Sequence, residues 1–205
     1  MGNWWIAVNL IAGTVFVLMQ AIGVQCRDRG RMLTWFMVAA ALSWLLNIPF
    51  LFTAREPAFI VFTTWMGVVG SSAYVLFLAM LLHGEMKRRE ISRRILVVLA
   101  FIAILPFIGN IVWVFAIERV AFGGFGVWPV ILINNVFPLL TFPFMLYGLW
   151  HEDRFVSRCY MLPHFFVHAL VAVWMWGILR NWESVVLAVS CVVAIVRFVP
   201  RKERG

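Results

Sequence analysis

Acids are scarce in this chain and lysine is almost missing. Asp and Glu together supply 9 of 205 residues, and lysine occurs only at Lys87 and Lys202. No carboxylate falls at the middle of a long apolar stretch. Carboxylate-coupled proton transfer, di-iron chemistry and buried-carboxylate catalysis therefore lack their groups. A retinal Schiff base needs a lysine amine among the helices, so a covalent retinal pigment is excluded. The three cysteines, Cys26, Cys159 and Cys191, show no CxxC spacing, which leaves redox and zinc motifs without a foothold. There is no low-complexity stretch and no long linker, hence no room for a folded soluble domain.

What is present is apolar. The composition is 64% hydrophobic, more than a soluble domain of this length can hide. Seven apolar stretches, at about 4–25, 32–54, 57–83, 95–117, 126–150, 159–179 and 183–199, have the length of membrane-crossing helices. They are continuous and about twice as long as the alternating strands of a membrane barrel. The expected fold is an all-α integral membrane protein, one seven-helix transmembrane domain over 1–205. The first stretch has no basic segment before it and no small-residue cleavage site after it, so it reads as a retained helix.

Orientation follows from the basic residues in the short gaps. Arg27, Arg29 and Arg31 fill the first, Lys87, Arg88, Arg89, Arg93 and Arg94 the third, and Arg154 and Arg158 the fifth. Arg201, Lys202 and Arg204 follow the last stretch. The alternate gaps hold only Arg55, Arg119 and Arg180, each near an acid. The amino terminus is expected outside and the carboxyl terminus in the cytoplasm, most simply across a plasma (inner) membrane. Cys26 and Cys159 then lie at cytoplasmic ends and Cys191 within the last helix, which argues against structural disulfides. The net charge of +8 fits contact with anionic lipid headgroups. Nucleic acid is not an expected partner, since no basic face on a folded module exists. Trp4, Trp5, Trp128, Trp176 and Trp182 fall at outer ends, where indole rings favour the headgroup level.

Polar residues inside the stretches carry most of the remaining information, because each costs free energy unless satisfied. With alternating helix direction, Asn9, Asn47, Thr63, Thr64, Asn110, Asn134 and Asn135 all fall in the outward half, from five stretches, with Trp44, Trp65 and Trp113 at related depth. Asn47, Trp65, Asn110, Asn134, Asn135 and His168 are the candidate ligand-binding residues for a small neutral or lipophilic solute. The alternative is interhelical hydrogen bonding that holds the bundle together. Pro49, Pro106, Pro138, Pro143 and Pro163 interrupt four stretches, each freeing a backbone carbonyl. His164 and His168 share one face at a spacing that can serve a metal or haem. Cys191 is their only obvious partner, so no metal site or haem is expected and a histidine bonded across helices is the simpler reading.

Gly70-Ser71-Ser72-Ala73-Tyr74-Val75-Leu76 resembles the G-x-S motif of rhomboid intramembrane proteases. That resemblance, seven residues long, implies Ser72 as nucleophile and His168 as its base. The alternative is tight helix packing at Gly67, Gly70 and Ser71. In length, helix count and orientation the chain also resembles the SWEET and PQ-loop transporters. The first three and last three stretches form a loose parallel echo of the kind found there, but the paired Pro-Gln signatures are missing and no site residue carries over. Two further readings stand beside an enzyme: a binding or transport protein with an outward polar pocket, and a non-catalytic subunit or scaffold with lateral helix-packing partners.

Overall fold

A computed structural model describes residues 4–26, 28–53, 58–87, 90–113, 135–151, 165–173, 176–177, 180 and 182–198. Among these, every regular element is a helix: α1 (Trp4–Gln25), α2 (Arg29–Thr53), α3 (Ala58–Lys87), α4 (Arg93–Val112), α5 (Phe137–Trp150), α6 (165–173) and α7 (Trp182–Phe198). Thr64–Lys87 of α3 and all of α4 are long and apolar enough to cross a membrane. Only 33% and 17% of their most apolar windows are buried inside the protein. Phe101, Leu140, Phe144 and Phe166 likewise stand on the outside of the molecule.

Short connections set the packing. α1 turns back at Cys26, whose N–H donates to the Gly23 carbonyl (3.0 Å). Asp28 then opens α2 by accepting the Arg31 N–H at 2.7 Å, a side-chain cap on an otherwise unsatisfied first-turn donor. The connections from α1 to α2, α2 to α3 and α3 to α4 are too short for anything but antiparallel neighbours. The packing runs α7–α1–α2–α3–α4–α5, with the first and last helices side by side.

Among the described residues, the most deeply buried apolar side chains gather toward the end where α1 stops and α2 begins. Val17, Leu33, Phe36, Phe77, Leu78, Met145, Leu149 and Phe165 are fully buried there. Glycines admit the closest approaches. A Cβ at Gly23 would press on Phe36 and Trp35 at 3.0 Å. A Cβ at Gly70 would overlap the Pro106 ring. Small residues at such crossings let helices associate where the surroundings are as apolar as the side chains.

The third expected stretch ends near 83, whereas α3 continues through Glu85 to Lys87. Charged residues end apolarity, not helicity, and Glu85 has a partner in α2 that holds the added turn in place.

Candidate functional site

Hydroxyls and amides behave differently in this bundle. Ser71 Oγ donates to the Gly67 carbonyl, Thr34 Oγ1 to Gly30 and Thr141 Oγ1 to Phe137, each at 2.7 Å. Hydroxyls can satisfy themselves on the preceding turn of their own helix. An amide has two donors and an acceptor and reaches outward. Asn110 Nδ2, near the end of α4, donates to Asn135 Oδ1 at 2.8 Å, just ahead of α5. Asn135 is 7% exposed.

Three local features place this pair. Pro106 has no N–H for the Ile102 carbonyl, so the ladder of α4 is already interrupted one turn before Asn110. At its end, the Trp113 N–H reaches both the Asn110 and Gly109 carbonyls. Asn135 lies next to Val136, whose backbone is already helical (φ −70°, ψ −45°) and leads into α5.

Trp113 completes the group. It lies three residues after Asn110, on the same face of the helix. Its ring stacks on Phe62 of α3 with centroids 4.4 Å apart. Gly109 makes that possible: a Cβ there would meet Met66 at 2.8 Å and Phe62 at 3.3 Å. Trp113 Nε1 and Asn110 Oδ1 are both buried with no hydrogen-bond partner among the described residues. The site therefore offers one donor and one acceptor, each already stripped of water, beside an aromatic wall. An unmet buried donor or acceptor costs about 1–3 kcal/mol, and a molecule carrying the complementary groups recovers that cost.

The structure brings together two of the expected site residues, Asn110 and Asn135. Trp65 stands 54% exposed rather than in the interior. Asn134 and His164, and the side chain of Asn47, lie outside the described residues. His168 belongs to α6 and has a bonding partner. It does not meet Ser72: that hydroxyl donates to the Val68 carbonyl (2.7 Å) and accepts from Trp44 Nε1 (2.8 Å). Among the described residues no group of three or more His, Cys, Asp or Glu side chains could hold a metal ion.

A second polar cluster lies at the opposite end. Arg29 Nη1 donates to Glu85 Oε2 at 3.0 Å, and Nη2 donates to the carbonyls of Leu149 and Trp150 at 3.2 and 3.0 Å. One guanidinium thus joins the start of α2, the end of α3 and the last turn of α5. The α5 carbonyls are orphan acceptors at the negative end of a helix dipole, which a cation stabilises. Arg93 lies over the Trp150 ring, 5.9 Å from its centroid. The sequence reading treats these arginines only as markers of membrane side. The missed signal is Glu85, an acid directly after an apolar stretch with an arginine expected at the same depth.

No protein family, no curated protein and no solved structure matches this chain.

Proposed function

We propose that the chain is a seven-span membrane protein that binds, and carries across the bilayer, a small neutral solute at the site of Asn110, Trp113 and Asn135. The membrane reading is supported by the low protein burial of α3 and α4: uncovered apolar helix faces of this length favour lipid over water. The basic gaps favour an outward-half position for the site. The observation that carries the solute reading is the pairing of a buried, unmet Asn110 Oδ1 with a buried, unmet Trp113 Nε1 on one helix face. A solute with both a hydrogen-bond acceptor and a donor, and an apolar flank for the Phe62–Trp113 stack, fits that chemistry. Nothing in the triad is charged, which favours a neutral ligand.

The test is a screen of neutral solutes against the purified chain, read as a rise in unfolding temperature. A binder should lose its effect in Asn110→Leu and weaken in Trp113→Phe, with both variants folded. A binder whose effect survives both changes would disprove the site. The exposed Phe101, Leu140 and Phe144 on α4 and α5 favour, as a second reading, a bundle that packs laterally on other helices. In that case the chain purifies as a stoichiometric complex and no neutral solute shifts its unfolding.

A further inference from the structure

Gln20 is the most deeply buried amide among the described residues. It is 1% exposed, and its Oε1 has no hydrogen-bond partner among the described residues. It shares a face of α1 with Gly13, Val17 and Val24, at spacings of three, four and seven residues. Leu187 of α7 lies against Gly13 and Phe36 of α2 lies near Gly23, so Gln20 points between these helices into the core. A leucine would fill such a place without the desolvation cost that an unmet carbonyl carries.

The level of Gln20 can be read across the bundle from close approaches. Gly23 lies beside Phe36, Trp44 bonds to Ser72, and Gly70 lies beside Pro106. Through these pairs Gln20 sits about 11 residues, roughly 16 Å, below Asn110 along the helix axes. Thr14, Tyr74 and Ser190 are buried too and fall at levels between Asn110 and Gln20. Among the described residues, none of the buried polar ones is charged.

We propose that Gln20 is a second, inner binding station, whose carbonyl oxygen accepts a hydrogen bond from a neutral donor: a water molecule or the hydroxyl of a polyol. The station is read from Gln20 itself; its place on a route from Asn110 rests on the transport reading. Gln25 is the only other glutamine and is exposed. In a Gln25→Ser chain, an isotope label on glutamine side-chain carbonyls therefore reports on Gln20 alone. The labelled chain in phosphatidylethanolamine and phosphatidylglycerol bilayers is followed by infrared absorption as a dry film, after hydration, and after addition of glycerol.

The carbonyl should absorb at the frequency of an unbonded amide in the dry film and move lower on binding. Movement on hydration identifies water as the occupant; movement only with glycerol identifies the polyol. A band already at the bonded frequency in the dry film, or unmoved by both additions, overturns the proposal. Glycerol flux into vesicles separates the two readings. Gln20→Leu should lower flux roughly tenfold, the factor one lost hydrogen bond gives, without lowering the unfolding temperature. A moved band with flux unchanged in both Gln20→Leu and Asn110→Leu keeps the station and ends the transport reading. An unmoved band with flux lost in Asn110→Leu does the reverse.

Discussion

Arg29 Nη1 lies 3.0 Å from Glu85 Oε2, and the other terminal nitrogen of the same guanidinium holds two main-chain carbonyls of α5. The ion pair is half open to the surroundings, so on its own it contributes about 0–1 kcal/mol. The carbonyl contacts are less exposed, and their loss leaves orphan acceptors at a helix end. Arg29→Met should therefore destabilise the bundle by about 1–3 kcal/mol, while Glu85→Gln costs less than about 1 kcal/mol. Denaturant titration of the two variants and of the double variant checks this. Equal costs would place the strength of the contact in the ion pair instead.

Gly67 and Gly70 lie one turn apart on α3 and differ in surroundings. Among the described residues, nothing beyond the local backbone of α3 lies within 4 Å of a Cβ built at Gly67, whereas one at Gly70 overlaps Pro106 and comes within 3.3 Å of the Ala103 carbonyl. Gly70→Ala should cost about 1–3 kcal/mol through overpacking. Gly67→Ala should be neutral or stabilise by up to about 1 kcal/mol, since glycine is a poor helix residue. Thermal unfolding of both variants decides the matter.

The glycine and serines that resemble a protease motif are explained by this packing. Gly70 admits Pro106, Ser71 bonds within its own helix, and Ser72 accepts from Trp44 while its proton points at Val68. A fluorophosphonate probe should leave Ser72 unlabelled in active membranes. Labelling that disappears in Ser72→Ala would restore the hydrolase reading.

Helix positions were legible in the sequence because apolar runs of this length have few other outcomes. The run expected at 4–25 is helix Trp4–Gln25, and the run expected at 183–199 matches helix Trp182–Phe198 to within one residue at each end. Which way each helix faces was not legible. These helices are apolar all round, so periodicity gives no inner stripe to read. Depth therefore puts Trp65 among the candidate ligand-binding residues although it stands outside, and gives Trp113 only as a neighbour at related depth although it shares a face with Asn110. Depth alone linked Asn110 with Asn135. The bond between them depends on how the end of α4 faces the start of α5, which no residue pattern announces. Gln20 was visible as an amide in an apolar run, but its burial depends on the crossing of α1 with α2 and α7.

Asn110 is proposed to sit at a solute site reached from the outer face of a membrane. A chain with its native cysteines replaced and a single Asn110→Cys change tests this most directly, using a membrane-impermeant thiol reagent applied to either side of oriented vesicles. Reaction is expected from the outer side only, slowed by a bound solute, with the opposite sidedness for Arg94→Cys. Reaction of Asn110→Cys from the cytoplasmic side alone, or of both positions from the same side, would contradict it.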